Sequence, residues 1–144
     1  MSAYDKVKLT PTEALNIYLE KYPDAYIKEV ELGLKSGVFV YEVEGYTDNE
    51  KNELYIDSVN GNILEMKTQF FRGRYDRITP EATDQIEGLV EKALADAGTG
   101  SELYEYELEV EDLRLELEVK ITAADGQYLN YKYDLGTGDL IRKK

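Results

Sequence analysis

Apolar residues recur along this chain with two periods, and the period switches from helical to extended twice. Ala14, Leu15, Tyr18, Leu19 and Tyr22 fall on one face at helical spacing. Ahead of them, Thr10 can cap, Pro11 suits the first helical position, and Glu13 completes a capping box. Pro23 stops the run, so the spacing predicts a helix over 11–22. Period two follows. Val30, Leu32 and Leu34 alternate with Glu29, Glu31 and Gly33, and Ser36-Gly37 turns the chain. Phe39, Tyr41 and Val43 then alternate with Val40, Glu42 and Glu44. After a polar loop over 47–52, Leu54 and Ile56 face inward, and an Asn60-Gly61 turn returns the chain through Leu64 and Met66.

The same order then repeats. Thr79-Pro80 opens a second helix whose stripe is Ile86, Leu89, Val90, Ala93, Leu94 and Ala97, ended by Gly98. Tyr104, Tyr106, Leu108 and Val110 alternate with Glu105, Glu107 and Glu109. Leu113, Leu115, Leu117, Val119 and Ile121 alternate with Arg114, Glu116, Glu118 and Lys120, and Ala124-Asp125-Gly126 turns the chain. Leu129, Tyr131, Tyr133 and Leu135 form a third inward set before a last turn at Thr137-Gly138.

Residues 55–64 (YIDSVNGNIL) and 132–141 (KYDLGTGDLI) match, with Asp57, Gly61 and Asn62 each 77 positions before Asp134, Gly138 and Asp139. The Thr-Pro helix starts are only 69 apart, so the second unit is the longer. The expected fold is α+β: two tandem repeats, residues 10–68 and 79–144, each one helix packed on a four-stranded antiparallel sheet. Residues 69–78, containing the aromatic and arginine-rich run QFFRGRYDR, read as a connector. Either unit alone has a marginal core, so the two should pack together or share one sheet.

Composition narrows the chemistry. With 144 residues and 42% apolar positions the chain can bury a core. Its net charge of −13 repels nucleic acid and anionic lipid and favours basic partners. It has no histidine and no cysteine, which removes Ser-His-Asp and Cys-His catalysis, disulfides and thiolate metal sites. With 30 acidic residues, a nearby carboxylate pair carries no signal for acid–base catalysis. Only a hard cation such as calcium could be ligated, and the Asp57, Asn60 and Asn62 set lacks the spacing of a calcium loop. Turn chemistry explains Asp57, Gly61, Asp134 and Gly138 instead, because glycine tolerates positive φ and aspartate accepts backbone N–H bonds. No cofactor is expected. No run approaches the roughly 20 apolar residues of a membrane span, and residues 1–9 lack the apolar core of a signal peptide. The chain is then either cytoplasmic or a mature segment without its export signal.

Three sets of residues could meet a partner. Glu105, Glu107, Glu109, Glu116 and Glu118 make a negative outer sheet face, either solvated or a dock for a basic partner. Among the 13 tyrosines, Tyr18, Tyr41, Tyr106, Tyr131 and Tyr133 point inward by parity, whereas Tyr46, Tyr55 and Tyr128 fall outside and are candidates for contact. Phe70, Phe71, Arg72, Arg74 and Tyr75 form an aromatic and basic cluster, which would either staple the two units together or bind a partner.

Several segments taken in order, Thr10-Pro11-Thr12-Glu13-Ala14, the run from Tyr22-Pro23-Asp24-Ala25-Tyr26 to Leu32, Tyr41-Glu42-Val43-Glu44, Leu54-Tyr55-Ile56-Asp57 and Asn60-Gly61-Asn62-Ile63-Leu64, resemble the PepSY domain. The second unit resembles a divergent repeat of it, without the Tyr-Pro-Asp-Ala segment. The resemblance implies an extracytoplasmic bacterial protein, secreted or membrane-anchored, that binds or inhibits a peptidase and has no catalytic residues. A protein or peptide partner is thus expected, with a ligand- or peptide-binding sensor or accessory domain as the alternative. Oligomeric state is left open.

Overall fold

The computed structural model describes residues 3–47, 49–70, 78–111 and 114–144. A 3₁₀ turn, Ala3–Lys6, precedes helix α1, Pro11–Lys21. Strands β1 (Tyr26–Lys35), β2 (Val38–Thr47), β3 (Glu50–Asp57) and β4 (Ile63–Phe70) follow. Helices α2 (Pro80–Thr83) and α3 (Ile86–Ala97) lead into β5 (Glu102–Glu111), β6 (Arg114–Thr122), β7 (Tyr128–Asp134) and β8 (Leu140–Lys143).

All eight strands form one antiparallel sheet in the order β4-β3-β2-β1-β5-β6-β7-β8. Two meanders therefore meet back to back. The first strand of each lies at the centre, where Glu29 pairs with Glu109 and Leu32 with Tyr106, and the last strand of each lies at an edge. One apolar core spans both halves, with Leu15 and Tyr18 of α1 and Ile86 and Val90 of α3 packed over Val30, Tyr41, Leu54, Leu108, Val119 and Tyr131. The tyrosine hydroxyls are satisfied inside it. Tyr18 donates to the Asn52 carbonyl at 3.0 Å, Tyr41 to the Leu9 carbonyl at 2.8 Å, and Tyr106 to the Tyr41 hydroxyl at 3.4 Å. That last bond links the two halves.

Helix α1 starts through a complete capping box: Thr10 Oγ1 accepts from the Glu13 N–H at 3.0 Å and Glu13 Oε1 from the Thr10 N–H at 2.9 Å. The second helix was expected to be continuous, but it breaks at Asp84-Gln85. Thr83 Oγ1 bonds back to the Pro80 carbonyl at 2.6 Å, and the Asp84 carboxylate accepts from Thr12 Oγ1 at 2.7 Å. Short polar side chains compete there with the helical ladder and tie α2 to α1.

Three inward expectations change. A bulge between Leu103 and Glu105 turns Leu103 into the core, so Tyr104 joins the outer face. Leu34, at the end of β1, is exposed. Every residue of β4 is exposed, Leu64 and Met66 included. The reason is width: eight strands span roughly 34 Å at about 4.8 Å each, whereas two helices cover about 20–24 Å. Gln69 and Phe70 belong to β4 rather than to a connector, and Leu113 lies outside the described residues.

Candidate functional site

The sheet face opposite the helices carries an acidic ladder that only the register makes visible. Cross-strand pairing runs Glu53–Glu44–Glu29–Glu109–Glu116–Asp134, one acid on each of six adjacent strands. Beside it run Glu42, Glu31, Glu107 and Glu118 on four adjacent strands, each paired with the next. Like charges directly opposite one another destabilise a sheet, and cations moderate this at the two ends. Lys51 Nζ lies 3.0 Å from Glu44 and 3.3 Å from Glu53. Arg114 and Lys132 hold Glu116, and Lys120 lies 2.8 Å from Glu105.

The middle differs from the ends. Burial first, then Glu107, Glu44, Glu31 and Glu42, push the Glu29 carboxyl up to about 9. Burial also raises Glu31, Glu107 and Glu109. Hydrogen bonds from Arg114 and Lys132 outweigh burial at Glu116 and lower it. Carboxylate oxygens of Glu29, Glu107 and Glu109, and of Glu29, Glu31 and Glu42, converge within 4.8 Å. Such oxygens suit a hard cation or the ammonium and guanidinium groups of a basic protein, and exposed acidic groups commonly cluster without an ion. The outer-face glutamates of β5 and β6 were legible in the sequence. Those of β1 and β2 were present by parity, but their apposition to β5 was not.

The two terminal turns share one set of hydrogen bonds. Asp57 Oδ1 accepts from the Val59 N–H at 2.7 Å and Asn60 N–H at 3.3 Å; Asp134 Oδ1 accepts from the Gly136 N–H at 2.9 Å and Thr137 N–H at 3.2 Å. Gly61 and Gly138 have φ of 79° and 78°, and their N–H groups donate to the Asp57 and Asp134 carbonyls. Each turn is followed by a bulge, with Leu64 the extra residue across from Tyr55/Ile56 and Ile141 the extra residue across from Lys132/Tyr133.

Residues 8–67 match the family model described as "Peptidase propeptide and YPEB domain". Over that segment the chain is similar to a PepSY domain. No curated protein matches the sequence. Among solved structures the chain is similar to one from Clostridium difficile 630 described as a "putative lipoprotein", at 24% identity and a TM-score of 0.76, covering 96% of this chain and 93% of that one. The likeness shows a shared fold that extends well beyond the PepSY segment.

The first half of the chain holds three of the candidate contact residues, and they differ. Phe70, just past the matched segment, is 81% exposed at the end of β4. Tyr55 stands on the outer face of β3 with Lys67 Nζ 5.3 Å from its ring centroid. Tyr46 corrects the expectation of exposure: parity places it on the outer face, yet it is 5% exposed there. Long polar side chains cover it, with Lys28, Glu44 and Lys51 as its charged neighbours. Outside the PepSY segment, Tyr128 is 74% exposed against the edge of Tyr104. Phe71, Arg72, Arg74 and Tyr75 lie outside the described residues. Strand β1 bulges at Lys28, and β5 bulges 76 positions later at Tyr104.

Proposed function

We propose that this protein is a non-enzymatic protein-binding module that acts outside the cytoplasm and modulates or inhibits a peptidase. The acidic ladder carries this reading. Its central carboxylates are crowded against one another, so a basic partner surface relieves repulsion inside the module as it forms new ion pairs. The PepSY match supports a peptidase partner and an extracytoplasmic setting, and the lipoprotein description of the similar structure supports that setting. No described helix is long and apolar enough to cross a membrane. Packing of Tyr18, Tyr41, Tyr106 and Tyr131 into a filled core supports protein binding over a buried small-molecule site. We read residues 79–144 as a divergent second copy of the first unit, because its bulges and terminal turn recur at offsets of 76 and 77 positions.

The test titrates the purified protein into secreted peptidases of its host, following binding and activity. Salt-sensitive binding that the Glu29→Gln/Glu31→Gln/Glu107→Gln/Glu109→Gln variant loses is the expected outcome. Absence of both binding and any change in activity would sink the peptidase reading.

A further inference from the structure

The sheet ends in two edges built on opposite principles. Strand β8 has four residues, carries Arg142 and Lys143, and is tied down by Lys143 Nζ at 2.7 Å from Asp96 and by backbone bonds between Asn130 and Lys144. Shortness and basic charge protect an edge from pairing with another chain. Strand β4 has eight residues, contains no proline, and is exposed along its whole length. It pairs with β3 on one side, and among the described residues no strand lies on its other side. Its register with β3 sets Met66 opposite buried Leu54 and Phe70 opposite Glu50, on the helix-covered side, while Glu65 and Lys67 stand opposite Tyr55 and Glu53 on the outer side.

We propose that two copies of this chain pair through β4, antiparallel about a twofold axis at Met66, so that one sheet runs continuously through both. The charges on β4 select that register. Centred on Met66, Glu65 of each copy faces Lys67 of the other, twice, and the two Met66 side chains meet on the helix side. A centre at Glu65 would set glutamate against glutamate, and a centre at Lys67 lysine against lysine, both unfavourable directly across strands. Pairing of β4 with β4 is isologous and closes as a dimer, whereas β4 with β8 would be heterologous and propagate. Against the net charge of −13, Glu65 and Lys67 cancel on β4, Lys67 also stands opposite Glu53 of β3, and the acids at the centre of the ladder, on β1 and β5, lie three and four strands away. This pairing is independent of the peptidase reading and needs no partner protein.

Sedimentation equilibrium of the protein alone, from micromolar to millimolar concentration, tests it. We expect a reversible dimer. Lys67→Glu should weaken it about ten-fold or more, since it creates two like-charge contacts. The Glu65→Lys/Lys67→Glu exchange should restore affinity to within about three-fold, because the complementarity returns with the signs reversed. Since the chain has no cysteine, oxidised Met66→Cys should give a disulfide-linked dimer whose formation Lys67→Glu suppresses. Melting temperatures of all variants control for folding. A monomer at every concentration, a dimer indifferent to Lys67→Glu, or an exchange variant as weak as the single variant would each overturn the proposal.

Discussion

The turns at Gly61 and Gly138 are one backbone in two settings. Both adopt the same positive φ and the same aspartate-capped hydrogen bonds. The first turn is roofed: a Cβ on Gly61 would lie 3.2 Å from Ile17 Cδ1 and 3.5 Å from Leu9 Cδ2, and the Ser58 carbonyl accepts the N–H groups of Lys8 and Leu9. The second turn is open, and a Cβ on Gly138 would meet nothing within 4 Å. The two halves share their local chemistry and differ in what lies over each turn. Leu9 and α1 close over the first turn, while among the described residues nothing closes over the second.

The largest expected effect separates those settings. Gly138→Val should cost about 1–2 kcal/mol for the left-handed backbone alone, and Gly61→Val roughly 1 kcal/mol or more beyond that from crowding against Ile17 and Leu9. Chemical denaturation of both variants measures the gap. Equal costs would mean that the roof yields freely.

The helix starts sharpen the contrast at smaller scale. Thr10→Ala removes half of a complete capping box and should cost about 1 kcal/mol. Thr79→Ala should cost less, because Thr79 Oγ1 accepts from Ala82 at a long 3.3 Å and α2 has only four residues. Thermal melts of the two variants check the order.

An effect with a diagnostic dependence on pH lies where the halves meet. A folded-state pKa raised above the unfolded value means that Glu29 holds a proton in the folded protein that the unfolded chain has released. Its stabilising contribution is full below about 4.5 and is lost as pH rises through about 9. Glu31, Glu107 and Glu109 act in the same direction, whereas lowered Glu116 loses its contribution as the solution turns strongly acidic. Melting temperature should therefore fall from pH 5 to pH 9. Glu29→Gln should leave it unchanged near pH 4 and raise it near pH 9, flattening the slope. A parallel offset at all pH values would show that Glu29 acts by packing rather than charge.

What was legible in the chain was what local chemistry decides. Thr10, Pro11 and Glu13 announce a helix start because the capping groups sit within one turn, and alternation exposed the faces of Val30, Leu32, Tyr41, Val43, Leu117 and Val119. Continuity of the sheet was one of two arrangements expected from the weakness of each unit alone. Where the reading failed, a distant or side-chain cause had intervened. The extra residue at Tyr104 reverses parity without any glycine or proline to mark it. Tyr46 is buried on a polar face by long charged neighbours. The break at Asp84 depends on Thr12, more than seventy positions away. The ladder itself required the pairing of β1 with β5, which no local pattern encodes.

That pairing also governs how the protein assembles. Six of the seven strand contacts join consecutive strands through turns, so each meander can form from contacts close in sequence. The β1–β5 seam brings together residues 72 to 80 positions apart, such as Gly33 with Glu105 and Glu29 with Glu109. Non-local contacts of this kind slow folding, because chain entropy is lost before they form. The seam that unites the halves is also where the acids crowd most, so folding is expected to slow as the pH rises and Glu29 loses its proton.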